Sequence, residues 1–337
     1  MTQKNSVMAA GISLLMATTQ PTGMPAQNVE RQTTAKAVTF KNGNWAMAGN
    51  LYLPDGFDEN GQYASIIVVH PGGGVKEQTA GLYAERLAHE GFVTLAFDAS
   101  HQGESEGEPR RLDSPYNRVE DTKCAVDFLT TLPYIDRCRI GAMGICAGGG
   151  YAINAALTEK RIRAVAAVSP VDAGLSTRNG WAGGNSLENQ LKLMERIAAA
   201  RTAEANGETP VLTNHVPEVV DKNTPRDFVE AHEYYRTPRG GHPNSDNLVL
   251  LRGFADRLAF NSFALIPDYL TQPLLVIVGS EATSRWMGEK AVELSTHEKE
   301  LYVVEGATHV SLYDVPRDVN RAVPKLAGFF TIHLSEK

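Results

Sequence analysis

The segment Gly144-Ile145-Cys146-Ala147-Gly148 has the residue types and spacing that speak most directly of chemistry. A Gly-x-nucleophile-x-Gly run between a strand and a helix makes a tight turn in which the central residue takes strained backbone angles. The glycines remove side chains that would collide there. The thiol then projects into a cleft at a helix N-terminus, where the backbone dipole favours an anion. Cys124, within a helix at 118–132, and Cys138, ahead of a strand, are read as small buried hydrophobes. Three cysteines with no CxxC pair leave one thiol over under any disulfide pairing.

A nucleophile of this kind needs a base and a group that orients the base. Of the nine histidines, His309 stands where the last strand delivers the loop Glu305-Gly306-Ala307-Thr308-His309 to the sheet edge that carries Cys146. His70 ends a strand on that edge too, but Pro71 and three glycines suggest that this segment offers its backbone. His89, His297 and His333 read as surface residues, while His232 and His242 fall in a region able to touch substrate. For the third member, the loop after strand 274–278 offers Glu281, which is the choice made here. Asp172 and a water-linked arrangement with no direct acid are the alternatives. A Cys nucleophile leans less on that acid, because thiolate and imidazolium can stabilise each other as an ion pair. The oxyanion formed by attack on a carbonyl needs preorganised N–H donors. The amide of Ala147 is expected to be one and Gly73 the other, with Gly72 its neighbouring alternative. The glycines of His70–Gly74 match neither GxxxxGK[ST] nor GxGxxG, so a phosphate cradle is a poor reading.

These groups must be positioned by a scaffold. A hairpin is expected from Val38 to Pro54, with its turn at Asn42-Gly43-Asn44. Strands at 64–70 and 92–97 follow, both apolar on both faces as central strands are. Helices are expected at 78–90, 118–132 and 151–157, and short strands at 140–143 and 164–168. The last two strands fall at 273–279 and 300–304, with a final helix at 318–330. The alternation predicts an α/β fold: a mostly parallel, doubly wound sheet with helices on both faces and an antiparallel hairpin at its leading edge. Between 173 and 269 the rhythm breaks. Helical patches at 187–203 and 226–235 sit among Gly/Pro/Asn-rich joints with no clear buried strand. Such an insertion is expected to form a largely helical lid over the carboxyl end of the sheet, with Trp181, Tyr234, Tyr235 and Arg239 available to hold an acceptor. The core is then 38–172 with 270–337.

With 337 residues, 42% hydrophobic and 21% charged, the chain excludes disorder and a disulfide-stapled miniprotein. A net charge of −7 gives no electrostatic footprint for nucleic acid. No run reaches the ~20 apolar residues of a membrane span. Residues 1–37 are read as a tail outside the core. The apolar stretch 6–17, followed by Ala26, is either a short signal segment for export or a cytoplasmic tail, and the surplus thiol weighs mildly against export.

The strand followed by His-Pro-Gly-Gly-Gly, the run Phe97-Asp98-Ala99-Ser100-His101-Gln102-Gly103-Glu104-Ser105, the Gly144–Gly148 elbow and the Ala307-Thr308-His309 loop together resemble an α/β-hydrolase of the dienelactone-hydrolase-like branch, over about residues 38–335. That resemblance implies Cys146 as nucleophile, His309 as base and an acid in the loop 279–283, where many relatives carry Asp and this chain offers Glu281. Asp98 is expected to fix its loop by hydrogen bonding. The resulting expectation is a hydrolase of carboxylic esters, lactones or thioesters acting on a small-molecule acyl substrate, with no cofactor and no metal. Passing the same acyl group to an alcohol or amine is the nearest alternative, and a non-catalytic ligand-binding scaffold is a further one.

Overall fold

The computed structural model describes residues 35–336; the signal-like stretch of the sequence lies outside them. Among the described residues, eleven α-helices and ten strands follow in the order β1 (Lys36–Asn42), β2 (Trp45–Tyr52), β3 (Tyr63–Val69), α1 (Thr79–His89), β4 (Val93–Phe97), α2 (Pro115–Leu129), β5 (Ile135–Ile145), α3 (Ala147–Thr158), β6 (Ile162–Val168), α4 (Ala173–Asn179), α5 (Leu187–Ala205), β7 (Leu212–Asn214), α6 (Arg226–Arg236), β8 (Leu248–Leu250), α7 (Phe254–Ala259), α8 (Ile266–Tyr269), β9 (Leu274–Gly279), α9 (Arg285–Leu294), β10 (Lys299–Val304), α10 (Ser311–Asp314) and α11 (Pro316–His333).

Eight strands form one sheet in the order β1-β2-β4-β3-β5-β6-β9-β10. The β1–β2 hairpin is antiparallel and joins β4 antiparallel, while every later pairing is parallel. The runs that read as apolar on both faces are inner strands. Ile66, Ile67 and Val68 of β3 and Val93 and Leu95 of β4 are wholly buried, as are Leu275, Val276 and Ile277 of β9. Each such side chain contributes roughly 1.5–3 kcal/mol relative to exposure. Two hydrophobic clusters, one on each face of the sheet, show why the strands need no polar alternation. The outermost strand, β10, is only half-buried along most of its length.

The sequence expectation for β5 was too short. Its first residues, including Arg137 and Cys138, extend the strand outward at a position where its register against β3 shifts. Cys138 is therefore an exposed residue within a strand and not a buried hydrophobe ahead of one, whereas Cys124 is buried as expected.

Residues 172–269 leave the sheet after β6 and return at β9, its hydrogen-bonded neighbour. The helices expected there are α5 and α6. The stretch also holds a short antiparallel pair, β7–β8, in which Val249 and Leu250 are buried. Three-residue strands carry too little periodicity to be read from sequence.

Candidate active site

β5 hands Cys146 directly to α3, and at that step the backbone takes φ 54°, ψ −125°. A non-glycine residue in this region is strained, and here the surroundings impose it. Cys146 N–H donates to Val168 O at 3.0 Å, and its carbonyl accepts from Gly149 N at 2.9 Å and Val171 N at 2.9 Å. A side chain on Gly144 would strike the Gly148 carbonyl, and one on Gly148 would lie 2.6 Å from His70 O and closer still to Val69 O. Glycine is required at 144 because the first turn of α3 folds back over it, and at 148 because α3 starts in contact with the end of β3.

Burial pushes the Cys146 thiol above its ordinary pKa. The Tyr313 hydroxyl, the backbone N–H groups of Ala147 and Gly72, and the positive charge of Arg118 all favour the sulfur anion against that. Two amides thus face the sulfur from different elements. Gly73, the donor chosen from sequence, is not one of them. Its φ of 71° turns its carbonyl to Ser245 Oγ at 2.6 Å, and it lines a separate surface cavity with Asn244 and Ser245. Gly72 and Ala147 line the same cavity as Cys146.

His309 lies on that cavity too, almost fully buried. Its Nε2 is 3.1 Å from Tyr313 Oη, and the same hydroxyl stands close enough to the Cys146 thiol to favour the sulfur anion. Its Nδ1 is 2.6 Å from Ser284 Oγ. With Nδ1 donating to Ser284, Nε2 accepts from Tyr313, which is the tautomer a base needs. Trp181 packs edge-on against the ring at 4.8 Å between centroids. Burial alone brings the His309 pKa down to about 3. At neutral pH the thiol and imidazole are therefore both uncharged, in contrast to the ion pair considered from sequence.

Neither carboxylate considered as orienting acid reaches His309. Glu281 is half-exposed and pairs with Arg226 Nη1 at 2.6 Å. The chain turns after β9, with Ala282 N–H on Gly279 O, so that Ser284 and not Glu281 meets the imidazole. Asp172 caps α4 through Gly174 N and Leu175 N and accepts from Ser262 N at 2.8 Å. Asp98, as expected, braces its loop: it accepts from Lys76 N at 2.8 Å and Glu104 N at 2.9 Å and pairs with Lys76 Nζ at 2.9 Å.

The cavity has a volume of about 380 Å³, and 172–269 supplies much of its wall. Trp181 and Tyr235 are on it as the sequence suggested. Tyr234 and Arg239 are not, since Arg239 binds Asp314 at 2.6 Å. His232 and His242 are also elsewhere, with His232 Nδ1 on Pro217 O at 3.0 Å. The histidine of the insertion that does reach the cavity is His215. It is packed against Gly72 and Gly73, held 3.5 Å from Asp113, and lowered by burial to a pKa of about 3. Arg257 lines the wall and pairs with Asp113. His70 is wholly buried, accepts Ala99 N at 3.1 Å through Nε2, and receives Arg118 Nη2 on its carbonyl at 2.5 Å. That hold fixes the segment from which Gly72 projects. Long-range burial of this kind has no sequence signature.

Residues 66–322 match the model of the alpha/beta hydrolase family. The chain is 43% identical to "Uncharacterized protein YcjY" of Escherichia coli K12 over 299 residues, 87% of this chain and 97% of that one. A crystal structure of hypothetical protein PA2218 from Pseudomonas aeruginosa superposes with a TM-score of 0.84 at 34% identity, covering 90% of this chain and 95% of that one. Thiohydrolase aneE of Aspergillus aculeatus is 32% identical over 173 residues, 51% of this chain and 52% of its own. Among the described residues no helix is long and apolar enough to cross a membrane.

Proposed function

Since the chain belongs to the alpha/beta hydrolase family, we propose that it cleaves a carboxylic ester, lactone or thioester through a Cys146 acyl-enzyme, with His309 as general base. One observation carries this reading: Cys146 and His309 line one cavity with Tyr313, whose hydroxyl is 3.1 Å from His309 Nε2 and, with the amides of Gly72 and Ala147, favours the sulfur anion. The fold, the strained elbow and a relative named thiohydrolase support it.

The neutral resting pair sets the order of events. As the substrate carbonyl approaches, the thiol proton passes to the Tyr313 oxygen while the phenol proton passes to His309 Nε2. The sulfur electron pair forms the bond to carbon, and the carbonyl π pair moves onto oxygen. The amides of Gly72 and Ala147 hold that oxyanion. Collapse expels the alcohol or thiol, which takes the proton from His309. Water then attacks the thioester, His309 receives its proton, and the acid leaves with Cys146 restored. Ser284 keeps Nδ1 protonated and the ring oriented throughout. The insertion 173–269 serves as a lid that keeps bulk water from the intermediate.

The test is Cys146→Ala assayed on short p-nitrophenyl esters and acyl thioesters, with mass spectrometry of the wild-type protein during turnover. Turnover is expected to vanish in the variant, and the wild type is expected to carry one acyl group on Cys146. Near-wild-type activity in the variant overturns the assignment. Partition of the acyl group to added alcohols would shift the reading from hydrolysis to transfer.

A further inference from the structure

Asp227 is a carboxylate on the cavity wall that the proposed chemistry does not use. It stands in the first turn of α6 and is only 3% exposed. Its Oδ2 accepts the Trp181 indole N–H at 2.7 Å, and its Oδ1, equally buried, has no hydrogen-bond partner. No Lys, Arg or His pairs with it among the described residues: neighbouring Arg226 turns outward to Glu230 and Glu281. A buried anion with one oxygen unused is costly unless something supplies a donor and a countercharge. The helix N-terminus eases the charge but leaves the second oxygen empty.

The rest of the wall narrows the choice of ligand. Arg257, the other charged group on the cavity, has its charge met by Asp113 although its Nε is left without a partner, so it does not neutralise Asp227. The residues beside Asp227 are aromatic. Trp181 and Phe228 pack at 5.6 Å between centroids, and both line the cavity with Tyr235. A carboxylate set among aromatic side chains is suited to an ammonium group, which can take the ion pair and ring contacts together.

We propose that Asp227 binds an ammonium group on the substrate, so that the preferred acyl compound carries a cationic amine away from its scissile carbonyl. This rests on the acyl-hydrolase reading for its identification as a substrate site, and the binding experiment below is independent of turnover.

Calorimetric titration of the full chain as Cys146→Ala with 1-hexylamine and with 1-hexanol isolates the charge. The amine is expected to bind about ten- to hundred-fold more tightly, the range for a charge-assisted hydrogen bond. Adding Asp227→Asn keeps an oxygen for the Trp181 N–H and is expected to remove the preference while leaving hexanol binding in place. Equal affinity for the two probes, or a preference that survives Asp227→Asn, overturns the proposal. In the Cys146 protein, a p-nitrophenyl ester with a terminal ammonium is expected to show the same fold-advantage in kcat/KM over its methyl-ended analogue. Amine binding without turnover of any ester would refute the hydrolase reading and keep the ammonium site.

Discussion

Ser284→Ala removes the one polar partner of His309 Nδ1, a 2.6 Å contact between two side chains that are 2% and 1% exposed. A buried donor stripped of its acceptor costs about 1–3 kcal/mol. At about 1.4 kcal/mol per factor of ten in rate, kcat/KM should fall roughly 5- to 150-fold. The loss should stay well below the ~10⁴ that follows when a charged carboxylate partner is neutralised in a Ser-His-Asp site. A hydroxyl supplies no charge to stabilise the imidazolium that forms in the transition state. The companion change, Glu281→Gln, touches a half-exposed carboxylate paired with Arg226. Exposed pairs contribute about 0–1 kcal/mol, so kcat/KM should move by less than about fivefold. Both variants are measured by initial rates on p-nitrophenyl butyrate, with circular dichroism to verify folding. A hundredfold loss in Glu281→Gln beside a near-wild-type Ser284→Ala would refute the reasoning and restore the acid chosen from sequence.

Acid should not switch the base off at the ordinary imidazole value of about 6.5. His309 stays neutral until about pH 3, so kcat/KM should stay level from about pH 8 down to about pH 5, and an inflection near 6.5 in a pH-rate profile would contradict the burial argument. The Cys146 thiol is raised, so its labelling by iodoacetamide should accelerate as the pH climbs through and beyond the ordinary thiol range. Fast, pH-independent labelling below pH 7 would reveal an ion pair instead. Gly148→Ala pushes a methyl carbon to 2.6 Å from His70 O and against Val69 O. Overpacking of this kind costs about 1–3 kcal/mol or more and should lower Tm by at least about 2 °C with loss of ester hydrolysis, whereas an unchanged Tm would show that the elbow has slack.

The sheet, and the elbow that brings Cys146 to the cavity it shares with His309, were legible because their signals are local. Continuous β-branched runs such as Ile66-Ile67-Val68 report burial on both faces, and a glycine-framed Cys146 between strand and helix reports the elbow. The partners of those residues were not legible, because they depend on how loops turn. Glu281 and Ser284 are three residues apart in one turn, and only its backbone geometry decides which faces His309. Gly72 and Gly73 are adjacent, and the positive φ of Gly73 sends its carbonyl to Ser245 while the Gly72 amide meets the sulfur. Tyr313 was invisible for a different reason: a tyrosine four residues past His309 reads as core until its hydroxyl is seen at the imidazole. The burial that depresses His215 and His309 is a property of the assembled cavity.

The stretch 172–269 takes the place of the single helix that ordinarily joins two adjacent parallel strands, and β6 and β9 pair in register across it. Cys146, Ser284 and His309 all lie outside this stretch, while Trp181, His215, Asp227, Tyr235 and Arg257 all lie within it. On the proposed reading, the reacting groups and much of the cavity wall are thus encoded in separate blocks of sequence. A graft exchanging one contiguous block between relatives would redirect what the enzyme accepts while leaving the reacting groups in place, which makes this chain a natural recipient for transplanted selectivity.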